Sequence, residues 1–242
     1  MTACGGPRPE VFVRFVRTKA FDDPVRGARA RALLSSDERL ALERLRSTRA
    51  RRDYLGAHAL ARMMLGALAS CDPQVLCFDA GPRQRPRIIA PATARGLDVS
   101  IAHADGVAVC VTATAHVVGA DVESLRNVGS DLLHMAATVC NDREMRLLHS
   151  LDAAERADAF LRVWTVKEAV LKATGLASRV DPRDLTVSLD GGGPPRIEFD
   201  PDLHEDAARW RLAIRRIPPS HVAAVAVSGM PAPHIPVWLE QR

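Results

Sequence analysis

The sequence predicts an α+β protein made of two similar halves, each with helices followed by strands. Alternating apolar and polar residues predict strands, and apolar residues that recur every three or four positions predict helices. The segments "HADGVAVCVTA" at His103 and "HVAAVAVSG" at His221 each begin with a histidine and close such a unit. We therefore expect residues 1–117 and 118–242 to form two similar halves that meet near residue 118.

The first half begins with a strand, because "EVFVRFVR" alternates apolar and polar residues over positions 10–17. The segment "SSDERLALERLRSTRARRDYLGAHALARMMLGALAS" has helical periodicity and predicts one or two helices, with Ser35 or Ser36 as the N-cap. The segment "QVLCFDAGPRQRPRII" predicts two strands joined by a Gly-Pro turn. The segment "LDVSIAHADGVAVCVTATAHVVGADVE" predicts three strands, with turns at Ala104–Gly106 and near Ala115.

The second half is predicted to be helical after Asp131, and its last helix to end at Gly175 as a C-cap. The segment "DLTVSLDGGGPPRIEFD" then predicts a hairpin around its Gly-Gly-Gly-Pro-Pro turn. Two more strands are predicted from "RWRLAIRRI" and "SHVAAVAVSG". For the last residues, "MPAPHIPVWLEQR", we expect a tail that lies on the surface.

The composition is that of a globular protein, since 47% of the 242 residues are hydrophobic and 26% are charged. The start of the chain has no apolar signal segment, and no later segment approaches the ~18 apolar residues of a membrane-spanning helix. The five cysteines are scattered and lack the spacing of metal ligands. We therefore expect a cytoplasmic protein with reduced thiols.

The charge favours an acidic partner, because the net charge is +4 and the isoelectric point is near 9.0. Of the 33 basic residues, only Lys19, Lys167 and Lys172 are lysines. A coding bias would explain the many arginines, but it does not explain why two of three lysines stand five positions apart. Lysine can release a proton and arginine cannot, so a retained lysine indicates a chemical requirement.

Two carboxylates end the strand predicted from "VVGADVE". Because side chains alternate along a strand, Asp121 and Glu123 share one face with Gly119, while Val118 and Val122 lie on the other. Two neighbouring negative charges repel each other unless solvent, a cation or a basic side chain neutralises them. From this segment alone, a solvent-exposed strand end and a cation site are both open.

The helix predicted from "FLRVWTVKEAVLKATG" places Trp164, Glu168 and Lys172 on one face, at intervals of four residues. The simplest interpretation of the Glu–Lys spacing is a solvent-exposed pair that contributes a few tenths of a kcal/mol. Combined with Asp121 and Glu123, however, it provides a third carboxylate and a cation. Such oxygen ligands suit Mg²⁺, which commonly binds a few carboxylates together with phosphate oxygens and water.

These two segments resemble a known family. "VGADVE" and "WTVKEAVLK" are similar to the two signature motifs of the 4′-phosphopantetheinyl transferases, Gly-x-Asp-x-Glu and Trp-x-x-Lys-Glu-x-x-x-Lys. The resemblance is to the larger bacterial type with two halves, represented by the surfactin-synthetase activator. It implies two α+β halves related by a pseudo-two-fold axis, with the active site at their interface. It extends to "RRDYLGAHALAR", "QRPRI" and "SIAHADG", and so over nearly the whole chain.

The resemblance implies transfer of the phosphopantetheine arm of coenzyme A to a serine of an acyl, peptidyl or aryl carrier protein, with release of 3′,5′-ADP. Asp121, Glu123 and Glu168 would hold Mg²⁺, with Mn²⁺ as the alternative, against the pyrophosphate of coenzyme A. Glu168 would also accept the serine proton. Lys172 would contact the pyrophosphate and protonate the departing phosphate oxygen. The implied catalytic residues are thus Glu168, Lys172 and Asp121.

Further residues match contacts to coenzyme A in the family. His103 matches a histidine that binds the 3′-phosphate, but Ala102 stands where the family usually has Ser or Thr, so one hydroxyl contact is expected to be missing. Arg85 matches a basic residue near the nucleotide. Arg51 and Arg52 are candidates for the 3′-phosphate, and a solvent-exposed basic helix face is an equally good interpretation of this pair.

Two residues of the second half have open roles. Lys167 precedes Glu168 but points about 100° away around the helix. We assign it a lesser role among the residues that bind coenzyme A, either steering the phosphates or purely structural. Glu144 in "CNDRE" matches a further acidic residue of the family, without an assigned role.

Two other functions stay open. The basic segment "RLRSTRARRDY" would suit a non-catalytic module that binds an acidic protein or nucleic acid, although the 4% of aromatic residues leaves few platforms for stacking bases. A degenerate family member would bind coenzyme A without transferring from it, but every key motif residue is present. We expect an enzyme that uses coenzyme A and an acidic apo carrier protein, without a nucleic-acid or membrane partner. Since two fused halves would complete a site within one chain, we expect a monomer.

Overall fold

The computed structural model describes residues 11–79, 87–129, 131–175, 179–189, 193–229, 235 and 238–241, which form a mixed α+β fold as predicted. The helices of these segments are α1 (Pro24–Leu33), α2 (Ser36–Arg44), α3 (Thr48–Ala69), α4 (Leu132–Ala137), α5 (Asp142–Ser150) and α6 (Ala153–Thr174). The strands are β1 (Val11–Arg17), β2 (Cys77–Asp79), β3 (Arg87–Ala90), β4 (Leu97–Ala104), β5 (Val107–Thr114), β6 (Val117–Ser124), β7 (Leu185–Ser188), β8 (Arg196–Phe199), β9 (Trp210–Ile217), β10 (His221–Ser228) and β11 (Leu239–Glu240). Within these segments, no helix combines the length and the apolar character needed to span a bilayer.

Two larger sheets repeat one arrangement. The first has the strand order β11-β1-β5-β4 and the second the order β6-β10-β9. Each central strand, β5 or β10, is antiparallel to both of its long neighbours. The strands of the two predicted hairpins pair antiparallel as β2–β3 and β7–β8. The predicted Gly-Pro turn and the first two glycines of the Gly-Gly-Gly-Pro-Pro turn lie outside the described residues. The repeated strand order confirms the prediction of two similar α+β halves.

Each of these sheets carries a helix of 22 residues on its outer face, α3 on the first and α6 on the second. The central strands show how the layers form, because successive side chains point to opposite faces of the sheet. One face packs against the helix and the other against the second sheet. On β10, Val222, Ala224 and Ala226 pack in the cluster with α6. Their neighbours Ala223, Val225 and Val227 pack against the first sheet. The order of layers is therefore helix, sheet, sheet, helix.

Local sequence signals set several element ends. Ser35, one of the two residues predicted as N-cap, caps α2 and also forms a capping box with Glu38. Gly175 ends α6 in the left-handed region, with φ of 72°. Helix α1 was not predicted, although Asp23 caps it by accepting a hydrogen bond from the Arg26 N–H. Its apolar residues are too few to give a clear helical period.

The predicted surface tail is wrong for the described part of that segment. Strand β11 pairs in parallel with β1, and Arg14 lies opposite Leu239. Trp238 is buried in the core between the two sheets. The Pro-rich composition indicated an exposed tail. The segment instead packs against the first sheet, because Trp238 buries a large apolar side chain and the edge of β1 offers backbone partners. Strand β11 belongs to the second half of the sequence but joins the sheet of the first half. The division into residues 1–117 and 118–242 stays a prediction, and this strand does not follow it.

We predict that Trp238→Ala lowers the free energy of unfolding by about 3 kcal/mol or more, because it leaves a cavity between the sheets. Leu239→Ala is the matched control, since Leu239 is 55% exposed and its truncation should cost less than about 0.5 kcal/mol. Urea titration of both variants measures the difference. Equal costs would show that the C-terminal segment does not dock in solution.

Candidate active site

Strand β6 brings its carboxylates against α6. Gly119 lies on the same face as Asp121 and Glu123, and a Cβ atom at Gly119 would stand 1.8 Å from the Ala169 carbonyl oxygen of α6. The absence of a side chain at Gly119 therefore allows strand and helix backbones to approach closely. As predicted from the alternation, both carboxylates face away from the core between the sheets.

The first carboxylate meets a lysine of α6. The Lys172 ammonium donates to Asp121 Oδ1 across 2.5 Å, and the side chains of Lys172 and Asp121 are 33% and 7% exposed. The other oxygen, Asp121 Oδ2, is buried and has no hydrogen-bond partner in the structure. Burial raises the pKa of Asp121, and the charge of Lys172 opposes that shift. Asp121 is therefore a buried carboxylate with one oxygen still free to bind a cation.

Two further carboxylates share this region. Burial, followed by the neighbouring charge of Asp121, raises the pKa of Glu123 to about 7. The same two causes, in the same order, raise the pKa of Glu168, while Lys172 lowers it. Each negative charge makes the others less favourable, which is the electrostatic condition for binding a cation. Within the described residues, however, no three His, Cys, Asp or Glu side chains converge as they would around a metal ion.

The first half contributes His103, near the end of β4. Residue 103 is exposed, and partial burial by the surrounding protein lowers the pKa of its imidazole, an effect that Asp53 opposes and to which His58 and then Lys172 add. The charge of Lys172 therefore acts on His103 across the junction of the two halves. The side chain of Ala102 lies on the opposite face of β4, in the core between the sheets.

Side chains of β4 hold the edge of β6. The Val118 N–H donates to Asp98 Oδ2 at 2.7 Å, and the Ala120 N–H donates to Ser100 Oγ at 3.0 Å. Backbone groups that a neighbouring strand would otherwise pair with are thus satisfied by side chains. These contacts fix the strand that carries Asp121 relative to the strand that carries His103.

The predicted arginines have other partners or lie outside the described residues. Arg51 donates to the carbonyl oxygen of Leu45 at 2.6 Å, and Arg52 donates to Asp22 at 2.8 Å. These contacts lie within the first half and leave the assignment of both arginines to a phosphate as a prediction. Arg85 lies outside the described residues.

Lys167 is fully buried, and its ammonium donates to Glu144 and to the Val139 carbonyl oxygen. Glu144 also accepts the N–H groups of Asn141 at 2.9 Å and Val187 at 2.7 Å. Burial lowers the pKa of Lys167, and Glu144 opposes that shift. Of the two roles considered for Lys167, these contacts favour the structural one, and they give Glu144 a structural role as well.

Asp53 on α3 was not predicted as a functional residue. Its carboxylate accepts the Gly106 N–H at 3.2 Å, in the turn that follows His103. The available signal was a single acidic residue between the basic and apolar parts of "RRDYLGAHALAR". That signal was too weak, because an acidic residue near the start of a helix is common on helix-dipole grounds alone.

These side chains form an acidic region on an α+β fold, and comparisons with known proteins identify the family. A family model described as the 4′-phosphopantetheinyl transferase superfamily matches residues 117–226. The chain is 31% identical over 199 residues to the 4′-phosphopantetheinyl transferase HetI of Nostoc sp. (strain PCC 7120), covering 82% of this chain and 80% of HetI. It is 30% identical over 182 residues to the putative 4′-phosphopantetheinyl transferase slr0495 of Synechocystis sp. (strain PCC 6803), covering 75% and 72%. The chain therefore belongs to the 4′-phosphopantetheinyl transferase superfamily and is a transferase.

Two solved structures of holo-(acyl-carrier-protein) synthases are similar to part of the chain. That of Bacillus anthracis str. Ames, in complex with coenzyme A (3′,5′-ADP), has a TM-score of 0.40 and 19% identity, covering 46% of this chain and 93% of that one. That of Neisseria meningitidis has a TM-score of 0.40 and 20% identity, covering 46% and 96%.

We predict that Gly119→Ala lowers the free energy of unfolding by about 2 kcal/mol or more, because the new methyl group forces α6 away from β6. Gly129→Ala is the control, since a Cβ atom there would meet nothing within 4 Å. Chemical denaturation of both variants measures the costs. If Gly119→Ala is as stable as Gly129→Ala, the close approach of strand and helix is not present in solution.

We predict that Lys167→Met lowers the free energy of unfolding by about 3 kcal/mol or more, because it leaves Glu144 buried without its cation. Arg143→Met is the matched control: it breaks the ion pair between Arg143 and Glu198, whose side chains are 57% and 63% exposed, and should cost less than about 1 kcal/mol. Urea unfolding compares the two. A cost for Lys167→Met no larger than that of the control would contradict the structural role of Lys167.

Proposed function

We propose that the protein transfers the 4′-phosphopantetheine arm of coenzyme A to a serine of an apo carrier protein, releasing 3′,5′-ADP. Membership of the family supports this reaction. The single observation that carries it in this chain is the pairing of Asp121 with Lys172, which leaves a buried carboxylate oxygen unpaired beside a partly exposed ammonium. No contact in the described residues favours the alternative of a non-catalytic basic module.

We infer that Asp121, Glu123 and Glu168 would hold Mg²⁺, with Mn²⁺ as the alternative. The unpaired Asp121 Oδ2 fits this role, and the three carboxylates are the oxygen ligands that hard divalent cations prefer. Because the three side chains do not converge on one point in the structure, they would have to turn toward each other to share an ion. A bound ion would neutralise negative charge on the pyrophosphate under attack.

Lys172 is suited to act on the leaving group. Its ammonium already contacts Asp121, and the side chain is one-third exposed, so it can also reach an anionic group of a bound substrate. It would hold the pyrophosphate and donate a proton to the departing phosphate oxygen, a step for which arginine is too weak an acid. Lys172 would therefore act as both clamp and acid.

Glu168 is suited to accept the proton of the carrier serine. It lies one helical turn before Lys172, so base and acid would act from the same face of α6. The serine oxygen would then attack the β-phosphorus of coenzyme A as its proton passes to Glu168.

The nucleotide end of coenzyme A would lie along the first half. The exposed His103 would contact the 3′-phosphate, close enough to the second half for the charge of Lys172 to influence it. Arg85, Arg51 and Arg52 remain candidates for further contacts to the nucleotide. The net charge of +4 would favour encounter with an acidic carrier protein.

The direct test is incubation with coenzyme A, Mg²⁺ and apo carrier proteins of the acyl and peptidyl types, read by intact mass. We expect a carrier to gain one phosphopantetheine group, and 3′,5′-ADP to appear in equal amount. Binding of coenzyme A without any mass gain on either carrier type would contradict the proposal and favour the degenerate member.

We predict that Asp121→Asn lowers kcat/KM for transfer by about 10²-fold or more, because it removes charge from the site while keeping the size of the side chain. The matched control is Asp142→Asn, which makes the same change at an exposed position of α5 and should keep normal activity. Initial rates at saturating Mg²⁺ measure both variants. Normal transfer by Asp121→Asn would remove Asp121 from the proposed catalytic residues.

A further inference from the structure

His103 owes its position to the turn that follows it. Strand β4 ends one residue later, and Asp105 and Gly106 then connect β4 to β5 with φ angles of 44° and 94°. Two successive residues in the left-handed region make the tightest kind of hairpin turn. Any contact that fixes this turn also fixes the imidazole that stands beside it.

A buried carboxylate of α3 lies against this turn. Asp53 is 4% exposed, and its Oδ2 accepts the Gly106 N–H at 3.2 Å. Its Oδ1 accepts the hydroxyl hydrogen of Thr18, which is itself fully buried. The Thr18 N–H in turn donates to the Gly106 carbonyl oxygen at 2.9 Å. Asp53 and Thr18 thus bind both polar backbone groups of Gly106 and tie the turn to α3.

The other side of the turn is tied to the second half. The Ser124 hydroxyl, one residue after Glu123, donates to Asp105 Oδ2 at 3.3 Å. Arg49 of α3 donates to Asp105 Oδ1 at 2.6 Å. The turn therefore lies between the helix of one half and the carboxylate strand of the other, and Asp53 is its buried support.

We propose that Asp53 is a positioning residue that holds the His103 turn and thereby sets the preference for coenzyme A over 3′-dephospho-coenzyme A. The inference rests on the proposed function, in which His103 contacts the 3′-phosphate. Asp53 acts through His103, by hydrogen bonds to the turn.

The test compares kcat/KM for coenzyme A and for 3′-dephospho-coenzyme A in wild type and in six variants. His103→Ala should lower the preference for coenzyme A about tenfold or more, because it removes a charge-assisted hydrogen bond. Asp53→Ala should lower it by a similar factor, and the double variant should lose no more than His103→Ala alone. A purely structural role for Asp53 would reduce both kcat/KM values equally and leave the preference unchanged.

Two conservative variants test whether the hydrogen bonds to the turn, and not the overall stability of the fold, set the preference for coenzyme A. Asp53→Asn can accept the Gly106 N–H through its amide oxygen while its NH₂ group donates to Thr18, so it should keep most of the preference. Thr18→Val removes the hydroxyl at nearly constant shape and should lower the preference several-fold. Gly66→Ala is the stability control, because its Cβ atom would meet Pro73 at 2.8 Å and strain the opposite end of α3 without touching the turn.

The outcomes distinguish the inference from the proposed function. If wild type modifies no carrier, the proposed function fails, whereas calorimetric affinities for 3′,5′-ADP and 5′-AMP still test Asp53. If His103→Ala lowers the preference while folded Asp53→Ala keeps the wild-type value, the inference is overturned and the function stands.

If Asp53→Ala does not fold, an unchanged preference in Thr18→Val overturns the inference. A loss in Thr18→Val with a normal preference in Gly66→Ala supports it.

Discussion

The close approach of β6 to α6 is the constraint on which the site depends. A Cβ atom at Gly119 would stand 1.8 Å from the Ala169 carbonyl oxygen, so only glycine allows this separation of strand and helix. Asp121 follows two residues later on the same face, and Lys172 follows Ala169 by nearly one helical turn. The 2.5 Å contact between Lys172 and Asp121 therefore depends on a backbone distance that Gly119 sets.

Helix α6 carries two lysine–carboxylate pairs that lie in different environments. The pair of Lys167 and Glu144 is fully buried, and both Glu144 oxygens have donors, so its contacts are complete. The pair of Lys172 and Asp121 is partly exposed and leaves Asp121 Oδ2 without a donor. Substituting either partner of the fully buried pair would leave an uncompensated charge in the core and destabilise the fold. In the partly exposed pair, the lysine could exchange its partner for an anionic group of a bound substrate. The scarcity of lysine pointed to both residues, but only the three-dimensional contacts distinguish their roles.

Periodicity and local turn chemistry predicted most of the fold, because they act within a few residues. The capping box at Ser35, the C-cap at Gly175 and the left-handed pair Asp105 and Gly106 all follow from local sequence. The parallel pairing of β11 with β1 could not be predicted, since it joins residues more than 200 positions apart and depends on a free sheet edge. Alternation along β6 predicted that Asp121 and Glu123 share one face, whereas the roles of the motif residues stay predictions. The support that Asp53 gives to Gly106 was not predicted, because it depends on how α3 packs against a distant turn.

The division of the site between two halves has a physical consequence. Strands β4 and β6 are joined by the side chains of Asp98 and Ser100 and not by a backbone ladder, so the two sheets remain separate. Side-chain bridges leave more room between strands than direct N–H to C=O pairing does, and they can be altered without breaking a sheet. In the proposed function, a charged substrate would therefore reach residues of both halves, His103 from one and Lys172 from the other, while each rests on its own helix and sheet. The packing between the sheets would then set the distance between the two ends of the proposed substrate site, so that stability and specificity would depend on the same core.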